Sequence, residues 1–258
     1  MFGLEPNFGC CTANFHQGWP KLVSSMWMQT QKGGLAAVVY GPNVVRTKVA
    51  GGVPVEIEQK TNYPFRESVI MEVRPESQAS FELCLRIPEW AQGATLSVNG
   101  RTVPGASPGM FATLERVWKN GDQVELVLPM KPRVTHWFRQ SVAIERGPIV
   151  FSLPVPAKWS KVVDRGPASD WQAVPEGDWD YALELAADAD RSIRVIERHG
   201  TAGVFSETGS LVQLIVKGNK VSRWEEVQGS AGEIPESPVE THAETTESHM
   251  LSGRVGVH

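Results

Sequence analysis

The chain is predicted to be mainly β, with two β-sandwich domains behind a single leading helix. Three observations carry this. Short runs of alternating apolar and polar residues recur from residue 35 onward with no helical period between them. Turn-forming pairs such as Asn99-Gly100 and Asn120-Gly121 separate those runs. Helical spacing of apolar residues is confined to the first thirty or so positions.

The elements follow in order. Phe15, Trp19, Leu22, Val23, Met26 and Trp27 recur three and four residues apart, which predicts one helix over 12–29 with these side chains on one face. Thr12 or Asn14 can cap its start. Pro20 either kinks this helix or marks its true first turn. Gln31-Lys32-Gly33-Gly34 ends it. Leu35 to Tyr40 is a compact apolar strand stopped by Gly41-Pro42-Asn43. In 53–59, Val53, Val55 and Ile57 alternate with Glu56 and Glu58, the pattern of a half-buried strand. Further strands are expected at 68–73, 80–87, 94–98, 101–103, 110–118, 123–128, 141–145 and 149–153. From 154 to 192 four prolines and three tryptophans break the pattern, which reads as a linker and irregular opening. Strands are expected again at 193–197 and 211–217, with Gly218-Asn219 turning into 221–227. Thr241 to Ser248 carries no period, so disorder is expected there. The expected organisation is a leading helical piece (1–31), a first sandwich (32–153), a second and incomplete sandwich (154–240) and a disordered or aberrant tail (241–258).

Bulk properties narrow the function. The 258 residues are 41% hydrophobic and 21% charged, the composition of a globular protein. A formal net charge of −4 with no basic run speaks against nucleic acid as a partner. No apolar run reaches membrane-spanning length, so no membrane partner is expected. Nine tryptophans against three tyrosines suit a sugar-stacking surface, but for any single Trp core filling outweighs that reading. Trp90, Trp118 and Trp137 are the first candidates for such a surface.

The strongest chemical signal is Cys10 beside Cys11, two of only three cysteines. Neighbouring cysteines rarely bridge each other, because the ring is small and strained. They can share a soft metal ion, or one can be a nucleophile whose thiolate is favoured by the helix start that follows. They can equally be buried packing residues. Glu5 and His16 are the only nearby additions to a metal site, and their spacing fits no zinc ribbon or finger. Cys84 is expected to be a small buried residue on a strand. The six histidines are scattered, and His136 is expected to end a strand. Asp178 and Asp180 around Trp179 read as solvated loop charges.

Five strings occur in a telling order: Cys10-Cys11-Thr12-Ala13-Asn14 with Gln17-Gly18-Trp19-Pro20-Lys21, Leu35 to Pro42, Arg86-Ile87-Pro88-Glu89-Trp90, Val98-Asn99-Gly100, and Glu145-Arg146-Gly147-Pro148. Together they resemble the C-terminal half of the β-L-arabinofuranosidase-like glycoside hydrolases of family 127, over residues 3–240. The resemblance implies an N-terminal (α/α)6 barrel followed by β-sandwiches, with the leading helix as a terminal piece of that barrel. It implies zinc held by one Glu and three Cys, the last two adjacent. Cys10 then resembles the nucleophile and a zinc ligand, and Cys11 a zinc ligand only. The substrate implied is an arabinofuranoside-type glycoside, hydrolysed with retention through a glycosyl-cysteine intermediate. The remaining Glu and Cys ligands and the acid/base Glu have no counterpart here and are expected upstream of Met1. The chain is accordingly expected to be an incomplete fragment, inactive alone. The competing expectation is a non-catalytic carbohydrate-binding or structural β-sandwich module in which the cysteines are incidental.

Overall fold

The computed structural model describes residues 14–200, 210–238 and 246–255. The protein is mainly β, as expected, and divides into two compact units at 130/131.

A 3-10 turn, Phe15–Gln17, leads into the unit His16–Met130, whose first helix is the seven-residue α1 (Gly18–Ser24). The expected helix over 12–29 is therefore too long at its end. Pro20 stands inside the first turn, where its missing N–H costs nothing. The Ser25 N–H bonds back to the Lys21 and Leu22 carbonyls, and the chain then turns into a strand. That strand, β1 (Trp27–Gln29), pairs antiparallel with β2 (Leu35–Ala37). Sheet pairing and burial override the helical period here. Met26 is buried, and Trp27 donates its indole N–H to Asn43 Oδ1 at 2.7 Å.

The strands β3 (Asn43–Val49), β4 (Val53–Thr61), β5 (Ser68–Pro75) and β6 (Ala79–Arg86) follow. After them come β7 (Thr95–Val98), β8 (Arg101–Val103), β9 (Phe111–Trp118) and β10 (Asp122–Val127). They form two sheets, β1-β2-β6-β9 and β3-β4-β5-β10-β7-β8. All neighbours are antiparallel except β2 and β6, which run parallel. Phe81, Leu83 and Leu85 of one sheet and Val69, Met71 and Val73 of the other belong to one buried cluster. Each fully buried aliphatic or aromatic side chain contributes about 1.5–3 kcal/mol. Strand β3 carries Arg46 and Lys48 on its exposed positions, which suits a sheet edge.

From 131 onward the second unit contains β11 (Pro132–His136), β12 (Val142–Arg146), β13 (Ile149–Ser152), β14 (Ala157–Val163), β15 (Asp170–Pro175) and β16 (Tyr181–Leu183). These are followed by β17 (Arg194–Glu197), β18 (Val212–Lys220), β19 (Glu226–Val227), β20 (Ser230–Ala231) and β21 (Thr246–Val255). The main sheet has the order β11-β12-β13-β21-β18-β16, with β17 also paired to β18. Strands β14 and β15 form a separate hairpin.

Three expectations are corrected in this unit. The boundary lies at 130/131 rather than 153/154, because β11 to β13 pair into the second unit's sheet. Gly218 and Asn219 lie within β18, paired to Leu183 and Ala182, and do not form a turn. Residues 246–255 of the expected disordered tail are strand β21, inserted between β13 and β18. A polar strand with little period gains its place from ladder hydrogen bonds on both sides, which composition alone does not reveal.

The main sheet is curled. Arg146 Nη2 meets Glu197 Oε1 at 2.5 Å, although β13, β21 and β18 lie between their strands in the ladder. A flat sheet would hold strands four spacings apart at roughly 19 Å, at about 4.8 Å per spacing.

Candidate functional site

Cys10 and Cys11, the predicted nucleophile and metal ligands, lie outside the described residues, as does Glu5. Directly after them, Gln17 and Lys21 of the motif are linked, Lys21 Nζ donating to Gln17 Oε1 at 3.2 Å. Helix α1 buries none of its residues, and Trp19 and Val23 are 59% and 61% exposed. Among the described residues no group of three or more His, Cys, Asp or Glu side chains could hold a metal. Cys84 is on a strand as expected but is not buried in the core. Its position in β6 alternates with Leu83 and Leu85, so the thiol faces outward, 3.6 Å from Thr113 Oγ1.

The other motif segments build the scaffold. Tyr40, from the Leu35–Pro42 string, donates its hydroxyl to the Arg86 carbonyl at 2.6 Å, tying that string to Arg86–Trp90. Burial raises the Tyr40 phenol; Tyr63 beside it adds to the rise, and Arg86 opposes it. Burial likewise pushes the Tyr63 phenol up to about 12. Gly41 makes room for the buried Met26, since a Cβ there would lie 2.8 Å from Met26 Cε. Gln59 Nε2 donates to the Gly41 carbonyl at 2.7 Å from a buried position.

Asn99 and Gly100 both take positive φ (51° and 74°), the hairpin turn expected from the pair. Asn99 also reaches β10. Its Nδ2 donates to Asp122 Oδ1, and its Oδ1 accepts from the Gln123 N–H, both at 2.8 Å. Burial alone would raise the Asp122 carboxyl. Hydrogen bonds from Asn99 and the Lys119 N–H, with the Arg116 and Lys119 charges, outweigh it and hold the group below its usual range. In the second unit, Glu145 and Arg146 are both buried. Glu145 accepts from Thr135 Oγ1 at 3.0 Å and pairs with Arg133 across the β11–β12 ladder, while Arg146 reaches Glu197.

The tryptophans divide. Trp118 is fully buried and donates its indole N–H to the Phe81 carbonyl at 3.0 Å, so it is core and not a sugar platform. Trp90 packs partly buried against the same core. Trp137 alone of the three is largely exposed, at 59%. His136 does end β11, as expected. Asp178 pairs with Lys220 at 2.8 Å, whereas Asp180 is buried and not a solvated charge.

Sequence reasoning missed a concave region of the second unit. A cavity of about 960 Å³ lies among β11, β12, β13, β16 and the loops around 185–189, 221–224 and 234–238. Trp179 and Trp224 meet edge to face there, with ring centroids 5.0 Å apart. Arg139 and Gln140 at its margin both take positive φ, and Arg139 is tied to the 233–237 segment by hydrogen bonds to Glu233 and the Ile234 carbonyl and from the Ser237 N–H. The signal in the sequence was the cluster of Trp179, Tyr181 and Trp224, but their convergence depends on the curl of the sheet.

Residues 34–130 match the family model described as beta-L-arabinofuranosidase, GH127 middle domain. This is the segment of the first sandwich. A solved GH127 β-L-arabinofuranosidase from Geobacillus stearothermophilus T6 is similar to the chain, with 26% identity and a TM-score of 0.65 over 95% of this chain and 34% of its own. A second structure, named only as a glycoside hydrolase, shows 25% identity and a TM-score of 0.64 over 95% of this chain and 36% of its own. A GH127 β-arabinofuranosidase at 20% identity shares the fold, with a TM-score of 0.61 over 98% of this chain and 37% of its own. The chain thus spans about a third of the length of the structures it matches. No curated protein matches it. The resemblance to family-127 glycoside hydrolases read from the motifs is upheld by these matches.

Proposed function

We propose that this chain is the β-rich part of a retaining glycoside hydrolase of β-L-arabinofuranosidase type, acting on an arabinofuranoside-type glycoside. The observation that carries this reading is the middle-domain match over 34–130, joined to a fold likeness that extends over 95% of the chain. In this reading Cys10 is the nucleophile and a zinc ligand, and Cys11 a second zinc ligand. Two adjacent thiolates are soft donors of the kind zinc favours. They are two of the four a closed site needs, and the described residues do not supply the rest. Zinc therefore rests on the two thiols and the family likeness, and when bound it would keep both thiols deprotonated.

The chemistry assigned to the chain's own residue is short. The Cys10 thiolate forms a bond to the anomeric carbon as the glycosidic C–O bond breaks, and the departing oxygen takes a proton from an acid group that the described residues do not identify. Water then attacks the anomeric carbon and gives a proton back to that same acid group, the C–S bond breaks and the thiolate returns, so configuration is retained over two displacements.

The test is turnover. The isolated chain, with or without added zinc, is expected to leave p-nitrophenyl β-L-arabinofuranoside intact, because it spans only about a third of the length of the structures it matches. Measured release of p-nitrophenol by the isolated chain would overturn the claim that it works only as a part. In an active preparation containing this chain, Cys10→Ala is expected to abolish turnover, and an active Cys10→Ala variant would remove Cys10 as nucleophile. The competing reading, a binding module built on Trp90, Trp118 and Trp137, loses Trp118 to the core.

A further inference from the structure

The cavity of the second unit has a chemistry of its own. Among the described residues its lining holds no Asp, Glu, Lys or Arg side chain. Arg139 at the margin is already paired with Glu233, so a phosphate, carboxylate or ammonium ligand would find no free counter-charge in the lining and would lose its hydration without recompense. Its walls are aromatic and aliphatic, with Trp179, Tyr181, Trp224 and Phe151 among them. Its polar positions are neutral or weakly basic: His136, Gln140, Ser141, Asn219 and Ser237. An apolar wall interrupted by a few amide, hydroxyl and imidazole groups is the usual make-up of a small-molecule site, and about 960 Å³ is at the upper end of the usual size.

The lip adds a second observation. Arg139 (φ 54°) and Gln140 (φ 56°) are consecutive non-glycine residues in the left-handed region. Such residues are strained, and the arrangement persists only where surrounding structure fixes it. The bonds between Arg139 and the 233–237 segment supply that fixing, and Gln140, itself exposed, is carried to the cavity margin.

We propose that this cavity is a binding site for a neutral saccharide, separate in residues from Cys10 and Cys11. A sugar ring presents an apolar C–H face, which suits the Trp179 and Trp224 indoles, and a rim of hydroxyls, which suits Gln140 and His136. A purely apolar ligand would cover the exposed Gln140 and His136 side chains and offer them no hydrogen bond, whereas Ser141 and Asn219 are already bonded to the Phe138 carbonyl and to Glu184. The site is ancillary and does not depend on the proposed chemistry at Cys10.

The experiment is a titration of the full chain, followed by the tryptophan indole N–H resonances. Trp179→Phe and Trp224→Phe variants assign the two signals. The probes are an L-arabino-oligosaccharide, a gluco-oligosaccharide, a galacto-oligosaccharide and, as a charged control, oligogalacturonate. At least one neutral oligosaccharide is expected to shift both signals saturably, with at least tenfold weaker response to oligogalacturonate. Gln140→Gly, which removes the side chain and relieves its positive φ, and His136→Ala, at an exposed position, are each expected to weaken binding at least fivefold. Cys10→Ala is expected to leave it unchanged, which separates this site from the proposed active centre. Absence of any saturable shift, an equal response to the charged control, unchanged affinity in both lip variants, or loss of binding in Cys10→Ala would each overturn the proposal.

Discussion

At the scale of single residues, the best-determined contributions come from side chains that serve two elements at once. Trp118 fills the first sandwich completely and closes a hydrogen bond to Phe81. Trp118→Ala is expected to destabilise the protein by about 3–5 kcal/mol, measured by urea denaturation. Asp122 is held below its usual range chiefly by hydrogen bonds that overcome burial. Its folded value is depressed relative to the unfolded chain, so its contribution is present above the unfolded value of 3.8. That contribution is lost as pH falls through the lower, folded value. Asp122→Asn is expected to lower stability at neutral pH and to flatten the stability loss below pH 4, followed as midpoint against pH. On the outer face of the six-stranded sheet, Arg74 joins Glu56, Glu58 and Glu72, and Lys60 joins Glu58 and Glu72. Hydrogen bonds from Arg74 and then Lys60 lower the Glu58 and Glu72 carboxyls. Lys60 is exposed and the others are half-buried at the surface, so removing one is expected to change stability little, with the effect fading further in salt. None of these partnerships is visible in the sequence, since each joins positions brought together by register.

At the scale of elements, strict alternation was the reliable signal. The strands over 68–75, 79–86 and 122–127, and residues 55–59 of β4, bury every second residue, as their period required. The Asn99-Gly100 turn was equally legible, because its backbone needs two positive φ values. Gly100→Val places a β-branched residue at φ 74° and is expected to cost about 1–2 kcal/mol by thermal or urea unfolding. Where two signals competed, the sequence misled. Met26 and Trp27 fit a helical stripe, yet pairing with β2 and the bond to Asn43 draw them into the sandwich. The exposed helical face is reduced to Trp19 and Val23. Trp19→Gln with Val23→Gln is expected to leave the unfolding midpoint within about 0.5 kcal/mol of the parent, because helix α1 buries nothing.

At the scale of the whole molecule, each unit has its own sheets, and among the described residues the buried cluster of the first runs from Leu35 to Leu128, with Trp27 packed against it. Residues 16–130 expressed alone are therefore expected to unfold in one cooperative transition by circular dichroism; a gradual, non-cooperative loss of signal would show that this core does not suffice. The sequence by itself determined the mainly-β class, most of the first sandwich and the family resemblance. Alternation, turn pairs and short motifs are local properties, and each is written within a few residues. It also marked Cys10 and Cys11 as the chemical centre of interest, a reading that lies outside the described residues and stands as a proposal. Only the tertiary structure decided the rest. It moved the division of the chain to 130/131, gave the polar segment 246–255 a ladder place, sent Trp118 to the core, and curled the second sheet into a cavity. These depend on which distant strands exchange hydrogen bonds and on where twist brings their side chains together, and no local pattern encodes either.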